Sequence, residues 1–248
     1  MTLGECLILE HYDTAIKALT APAQPGPRLY VMTIPGEWLR ADATYPWLSE
    51  EDRDSAMAMS SMKRRAQFAA GRLLLRQALL RTCGAAAGGW RIQAVNRGAP
   101  RLVTDTDVPA PVVSLSHSGD VVLCGVAEGG ALGVDVERCV PRRCGWAALA
   151  GRALHPVERA RLEALSDPAR WRGFYQAWTL KEALAKALGI GLALPFDDIA
   201  FSSDCRIEAA PDGVGVTGPD WRFSMADVGK DAVAAVAWSA GRGVSYDG

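Results

Sequence analysis

The sequence has few of the residues that soft metal sites need. It has three histidines (His11, His117 and His155) and six scattered cysteines with no CxxC pair. Structural zinc sites use closely spaced Cys and His ligands, so this scarcity argues against zinc. Long apolar runs are also missing. None approaches the roughly 20 residues that cross a bilayer, so we expect no association with a membrane.

An excess of charge of one sign is likewise absent. The chain has 27 Lys and Arg against 28 Asp and Glu, a net charge of −1. No nucleic-acid partner is therefore expected, and any anionic ligand must be met by a local basic cluster. The opening "MTLGECLILEHYD" has no basic segment before its apolar residues, so we predict no signal peptide and a cytoplasmic protein with reduced thiols. With 49% hydrophobic and 22% charged residues, the composition is that of a globular protein.

What the sequence does contain is a regular alternation of helical and strand patterns. A strand is predicted at residues 29–34, a helical segment from Ser49 to a stop at Gly84, and a long helix over residues 168–188 that Gly189 ends. "APVVSLSHSGDVVLCGVAEGGALGVDVE" predicts three successive strands, and four short strands are expected near Ile199, Arg206, Phe223 and Val233. Together they predict an α+β fold.

Two segments of the chain resemble each other. "DVVLCGVAE" and "DAVAAVAWS" both place an Asp before a strand of small apolar residues. They hint at two related halves, although any two buried strands of Val and Ala look alike.

The segment "GVDVE" places two carboxylates in an apolar strand. Side chains alternate along a strand, so Asp135 and Glu137 project from the same face and repel each other. Either this face is open to solvent, or a cation lies between the carboxylates; an Arg, a Lys and a hard metal ion are all candidates.

The segment "WTLKEALAKALG" places a carboxylate and an ammonium on one helix face. Trp178, Glu182 and Lys186 are spaced four apart and form a stripe, whereas Leu180, Leu184 and Leu188 form the packing side. The simplest interpretation is an exposed i, i+4 ion pair. The upstream helix also carries six basic residues, which are either a solvated face or an anion site; these are Lys63, Arg64, Arg65, Arg72, Arg76 and Arg81.

In this order and at these separations, "SLSHSGD", "GVDVE" and "WTLKEALAKALG" resemble the motifs of 4′-phosphopantetheinyl transferases of the larger, surfactin-synthetase type. "KRRAQFAAGRLLLRQAL" resembles the first basic helix of that family. The resemblance implies two similar α/β halves related by a pseudo-twofold axis. Each would be a small, mostly antiparallel sheet against a long helix, with the active site in the cleft between them. Residues 1–130 would hold the coenzyme A-binding basic helix, and residues 131–248 the metal strand and the helix of "WTLKEALAKALG".

The activity implied by the resemblance is a group transfer. A monomeric, Mg²⁺-dependent enzyme would move the 4′-phosphopantetheine arm of coenzyme A to a serine of an apo acyl or peptidyl carrier protein, and release adenosine 3′,5′-bisphosphate. Such chemistry needs a hard cation, positive groups and a base. Two alternatives are a non-catalytic coenzyme A or nucleotide-binding protein and a metal-dependent phosphohydrolase.

The resemblance also implies roles for individual residues. Asp135, Glu137 and Glu182 would bind Mg²⁺, Lys186 would reach the pyrophosphate, and Glu182 or Glu137 would accept the serine proton. Coenzyme A would be bound by residues spread along the chain: Arg53, Arg64, Arg72, Arg97, Ser116, His117, Asp135 and Lys186.

The sequence departs from the family pattern in two places. Ser55 and Ala99 stand where basic residues are common in the family, so the recognition of the 3′-phosphate stays open, with Arg97 or Arg101 as substitutes. A basic rim for an acidic carrier protein is predicted just after the metal strand, formed by Arg138, Arg142, Arg143, Arg152, Arg159 and Arg161.

Overall fold

A computed structural model gives the structure of the protein. It describes residues 16–18, 26–93, 100–104, 108–141, 145–212, 214–216 and 220–241. The chain divides between Glu128 and Gly129 into two units, called here the N-terminal and the C-terminal unit. The roles assigned above to residues 1–130 and 131–248 stay predictions.

The N-terminal unit packs a long helix on a four-stranded sheet. The strand order is β1-β2-β6-β5, every neighbouring pair is antiparallel, and helix α2 crosses β2, β5 and β6. Its elements are β1 (Ile16–Ala18), β2 (Arg28–Thr33), a 3-10 turn (Gly36–Leu39), α1 (Glu50–Met57), α2 (Met62–Cys83), a second 3-10 turn (Gly84–Gly89), the hairpin of β3 (Trp90–Gln93) and β4 (Arg101–Thr104), β5 (Val112–Ser118) and β6 (Val121–Ala127).

The helical segment predicted from Ser49 is two helices, which corrects the prediction. Ser49 caps α1, because its Oγ accepts from Asp52 N at 3.2 Å. Ser61 caps α2 in the same way, accepting from Arg64 N at 3.4 Å. A serine that accepts from the third residue after it satisfies an otherwise unpaired helix N–H, so a second cap starts a second helix. The predicted stop is confirmed, since Gly84 ends α2 with a φ of 59°.

The C-terminal unit packs its long helix on a three-stranded antiparallel sheet. The strand order is β10-β11-β7, and α5 packs on β7 and β11. Its elements are β7 (Ala131–Arg138), α3 (Trp146–Ala153), α4 (Pro156–Glu163), α5 (Asp167–Leu188), two 3-10 turns (Gly191–Ala193 and Phe196–Asp198), the hairpin of β8 (Ala200–Phe201) and β9 (Ile207–Ala209), β10 (Trp221–Val228) and β11 (Ala232–Ser239). Gly189 ends α5 in the left-handed region, as predicted.

The two units contain the same succession of elements. In each, a strand is followed by a long helix, a short hairpin and two antiparallel strands, the last of which lies between the other two. The long helices have the same length, 22 residues. The two similar sequence segments correspond to β6 and β11, the central strands of the two sheets. The α+β class is therefore confirmed. None of the described helices is long and apolar enough to cross a bilayer.

Candidate active site

The backbone of α5 touches β7 at Gly133. A Cβ built on Gly133 would lie 1.9 Å from Ala183 O and 2.5 Å from Ala187 N, well inside the contact distance of real atoms. A residue with a side chain cannot stand there unless the helix moves away. The glycine of "GVDVE" therefore lets the helix and the strand approach closely enough for their polar side chains to meet.

Asp135 and Glu137 share the helix-facing side of β7 with Gly133, because residues two apart on a strand point the same way. Asp135 is 5% exposed and contacts Lys186 of α5. The alternative of a solvent-facing strand is therefore wrong for Asp135, and the cation that it faces within the described residues is an ammonium.

Lys186 connects the helix to the strand. Its Nζ donates to Asp135 Oδ1 at 2.7 Å and to Val134 O at 3.1 Å. The lysine side chain is 31% exposed, against 7% for the aspartate. Lys186 thus bonds to the neighbouring strand. An exposed i, i+4 pair with Glu182, the simplest interpretation of the sequence, would not make this contact. Trp178, in the same stripe, packs on Phe174 and Phe196.

Glu182 lies in the electrostatic field of these groups. Burial raises the pKa of the Glu182 carboxyl, Asp135 and Glu137 raise it further, and only Lys186 lowers it. Three carboxylates and one ammonium therefore act on each other, with an excess of negative charge. Such an excess in a partly buried site favours either a bound cation or a proton on one carboxyl.

Mg²⁺ suits these residues by chemical type. Carboxylate oxygens are its preferred protein donors, and it needs few of them because it keeps several water ligands. In the described part of the chain, no three His, Cys, Asp or Glu side chains are placed to surround an ion, and Asp135 is bonded to Lys186. The ligand set Asp135, Glu137 and Glu182 stays a prediction.

Comparison with known proteins points to the same segment of the chain. The family model of the 4′-phosphopantetheinyl transferase superfamily matches residues 131–237, from the first residue of β7 to the end region of β11. This matched stretch is called here the superfamily segment. Gly133, Asp135, Glu182 and Lys186 all lie within this superfamily segment.

Individual relatives cover less of the chain. A curated protein of Synechocystis sp. is 38% identical over 97 residues, which is 39% of this chain and 39% of the relative. The 4′-phosphopantetheinyl transferase HetI of Nostoc sp. is 32% identical over 146 residues, 59% of this chain and 61% of the relative. The matches thus span between two fifths and three fifths of the lengths of these relatives.

A solved structure also matches part of the chain. It is a holo-(acyl-carrier-protein) synthase from Bacillus anthracis in complex with CoA (3′,5′-ADP). It is 18% identical, has a TM-score of 0.34 and covers 43% of this chain and 92% of its own.

Apart from Lys186, the basic residues predicted to bind coenzyme A lie outside the superfamily segment, in the N-terminal unit, and differ in exposure. Arg53 of α1 and Arg64 in the first turn of α2 are exposed. Arg72 is buried, with its Nε 2.8 Å from Asp52 Oδ1 and its guanidinium over the Phe68 ring. An anionic ligand can use Arg72 only in competition with Asp52. Arg97 and Ala99 lie outside the described residues.

Ser116 and His117 lie on β5, just before the turn that leads to β6. His117 pairs with Val122 in the sheet, and the turn follows at Gly119, whose φ is 62°. Strand alternation buries Ser116 and exposes His117. Of the predicted residues, the structure brings together Asp135, Glu137, Glu182 and Lys186 in the C-terminal unit.

Most of the described arginines of the predicted basic rim are paired with acids of their own unit. Arg138 is bonded to Asp231, Arg161 to Glu208, and Arg159 lies 3.7 Å from Glu163. Arg152 is exposed, and Arg142 and Arg143 lie outside the described residues. The carrier-docking role of this rim stays a prediction.

One buried polar residue of the superfamily segment was not predicted from the sequence. Lys181 precedes Glu182 and is completely buried, where it forms an ion pair with Glu158. Burial lowers the pKa of the Lys181 ammonium, and Glu158 opposes that effect. The signal was available, because Trp178 and Leu184 flank Lys181 on the same helix face. A lysine on an apolar face needs a buried partner.

Proposed function

We propose that the protein is a 4′-phosphopantetheinyl transferase of the larger, surfactin-synthetase type. It would transfer the phosphopantetheine arm of coenzyme A to a serine of an apo acyl or peptidyl carrier protein, and release adenosine 3′,5′-bisphosphate. The pseudo-twofold relation of two halves, and a cleft between them for coenzyme A, are part of this prediction.

The observation that carries the proposal is the contact of Lys186 with Asp135 beside Glu182 inside the superfamily segment. The transfer requires a group that accepts a proton from the serine and a positive charge beside the phosphates. This contact joins a helix and a strand that carry both kinds of group.

Glu182 is the proposed base. The serine Oγ forms a bond to the phosphorus that carries the pantetheine arm, and its proton passes to Glu182 directly or through a water. A carboxylate that is shared with a metal can still lie within reach of the serine hydroxyl, so Glu182 can serve both purposes. Glu137, on the adjacent strand, is the alternative base.

Lys186 is the proposed electrophilic group. As the bond between that phosphorus and the bridging oxygen breaks, its electron pair leaves with adenosine 3′,5′-bisphosphate. The partly exposed Lys186 ammonium, already held by Asp135, would lie beside this developing charge. A charge placed in advance costs little reorganisation, which is why such groups lower barriers.

The metal and the substrate would be held by carboxylates of the C-terminal unit and by polar residues of the N-terminal unit. Asp135, Glu137 and Glu182 would bind Mg²⁺, which, when bound, would offset the charge of the pyrophosphate oxygens. Exposed Arg53, Arg64 and His117, together with Ser116, are the proposed contacts of coenzyme A in the N-terminal unit.

The test is direct. The purified protein is incubated with coenzyme A, Mg²⁺ and a panel of apo carrier proteins from fatty-acid, polyketide and peptide synthases, and each carrier is weighed by intact mass spectrometry. We expect at least one carrier to gain the mass of one phosphopantetheine arm, and its Ser→Ala variant to gain none. If no carrier gains mass, the proposal is wrong.

A further inference from the structure

Lys181 forms a buried junction between α5 and three other parts of the C-terminal unit. Its Nζ donates to Ala153 O at the end of α3, to Phe196 O in the second 3-10 turn and to Glu158 Oε2 of α4, at 2.8, 2.8 and 2.5 Å. A lysine ammonium has three donors, so every one of them is used.

Glu158 extends the junction further. Its side chain is 4% exposed; Oε1 accepts from Phe201 N of β8 at 2.9 Å, and Oε2 accepts from His155 N at 3.0 Å. The carboxylate thus binds the start of α4 and the first strand of the small hairpin to the same lysine. The residues that accept from Lys181 and donate to Glu158 are spread from 153 to 201, so the pair fixes α5 against elements on several sides.

The contact between α5 and the sheet is apolar. Ala183 and Ala187 of the helix lie against Gly133, and Leu180 and Leu184 share a core cluster with Ala235 and Ala237. Contacts between apolar groups are not directional. Hydrogen bonds are, so the buried pair adds a directional constraint on the rotation of α5 to the packing on the sheet.

We propose that Lys181 and Glu158 are positioning residues: this buried ion pair fixes the rotation of α5 about its axis and so directs Glu182 and Lys186 towards Asp135. Successive helix residues are about 100° apart, so the orientation of Lys181 determines that of Glu182. The catalytic part of this inference rests on the proposed function, whereas the orientation of α5 does not.

The test uses a double variant, because Lys181→Met alone leaves a buried carboxylate without its partner and can fail to fold. In Lys181→Met with Glu158→Gln, the glutamine oxygen can still accept from one of the two backbone N–H groups that Glu158 binds, and no buried charge remains. Ile199→Ala is the control, since it removes buried apolar atoms from the same unit and leaves both charged side chains in place. The three proteins are compared by thermal melting, steady-state kinetics and Mn²⁺ titration followed by electron paramagnetic resonance.

We expect the double variant to melt cooperatively, to lose about 10²-fold in kcat with a change of less than about threefold in the KM for coenzyme A, and to bind Mn²⁺ more weakly. The control should keep the wild-type kcat even where its melting temperature falls further. A double variant with the wild-type kcat and Mn²⁺ affinity would overturn the proposal.

A crystal structure of the double variant separates this inference from the proposed function. If the wild type transfers nothing to any carrier, the proposed function is wrong. The orientation of α5 in the double variant still tests whether Lys181 and Glu158 position the helix. A helix turned away from β7, with the contact between Lys186 and Asp135 lost, supports it. An α5 in the wild-type orientation would overturn it, whatever the rate.

Discussion

The two units use the same frame for different purposes, and the strand beside the long helix shows it. In the N-terminal unit, Tyr30 of β2 reaches the end of α2, where its hydroxyl lies 3.0 Å from Thr82 Oγ1. In the C-terminal unit, Asp135 of β7 reaches Lys186 in the last turn of α5. Both strands pair with the central strand of their sheet, so the two positions correspond.

This difference separates the fold from the site. Tyr30 and Met32 fill their side of β2 with neutral groups that join a hydrophobic core. Asp135 and Glu137 put two carboxylates on the corresponding side of β7. Two side chains therefore decide whether this strand face is part of a hydrophobic core or of a charged site. The chemistry depends on those residues and not on the architecture, which the two units share.

The glycine at the helix–sheet contact also differs between the units. In the C-terminal unit Gly133 lies on the strand, and a Cβ there would meet backbone atoms of α5. In the N-terminal unit Gly71 lies on the helix, and a Cβ there would meet only Leu115 Cδ1, at an ordinary 3.8 Å. Only the C-terminal contact depends on a missing side chain.

Gly133→Ala should therefore have the largest effect of the changes considered. Overpacking of this kind typically costs about 1–3 kcal/mol, and here the obstacle is backbone, which yields less than a side chain. We expect a clear fall in the free energy of unfolding, measured with urea, and loss of transfer, because α5 must move away from Asp135.

Gly71→Ala is the matched control. Its Cβ has room, and alanine favours a helix over glycine by about 1 kcal/mol, so stability should rise slightly. Equal losses in the two variants would contradict the claim that only the C-terminal contact needs its glycine.

Loss of a carboxylate should have the next largest effect. Asp135→Ala and Glu182→Gln should each lower the transfer rate by about 10² to 10³-fold or more, because groups that stabilise charge in the transition state are lost. Both should stay folded in thermal melts, since these side chains contribute to the site more than to the core.

The corresponding change in the N-terminal unit is Tyr30→Phe. It removes one hydrogen bond, so it should cost about 0.5–1.5 kcal/mol of stability and leave the rate unchanged. If the melting temperatures of the two acid variants collapse together with activity, the carboxylates are structural, and the contrast between the units disappears.

Lys186→Ala should have a smaller effect than loss of a carboxylate, and one that falls on the rate. A point charge near the pyrophosphate acts as charge accumulates on the leaving group, so kcat should fall strongly while the affinity for Mg²⁺ changes less. Steady-state kinetics and a metal titration measure the two quantities separately. A variant that loses stability but keeps the normal kcat would show that Lys186 only holds α5 to β7 through Asp135.

The sequence predicted what depends on local pattern. The long helix ending at Gly189 and the strands near Phe223 and Val233 follow from periodicity and stop residues. The break before α2 was missed because neither Gly nor Pro marks it, and only the Ser61 cap does. The strands β5, β6 and β7 were predicted as three successive strands, which is confirmed. That β7 pairs with β11, about a hundred residues later, is indicated by no local pattern.

The same limit applies to the site. Asp135 and Glu137 could be placed on one face, and Glu182 and Lys186 on one helix side, from spacing alone. That Lys186 bonds to Asp135, and Arg72 to Asp52, depends on which elements pack together. In the sequence of the basic helix α2, exposed Arg64 and buried Arg72 look alike. Only the position of Asp52 on α1 distinguishes them.

The smallest expected effect is the pH dependence of stability at Glu182, measured without Mg²⁺. Its raised pKa means that the folded chain holds this proton more tightly than the unfolded chain. Stability from this group is therefore full below the ordinary Glu pKa of about 4.3, and is lost as the pH rises through the raised value.

Glutamine carries no charge at any pH and avoids that loss. Glu182→Gln should thus melt slightly above the wild type at pH 7, and the difference should shrink as the pH falls towards 4. Tyr30→Phe is the control, because Tyr30 and Met32 leave no carboxylate on the corresponding side of β2. Its melting temperature should differ from that of the wild type by the same amount at both pH values. A wild type that is more stable than Glu182→Gln at pH 7 would mean that favourable contacts hold the Glu182 carboxylate in the metal-free protein, contrary to its raised pKa.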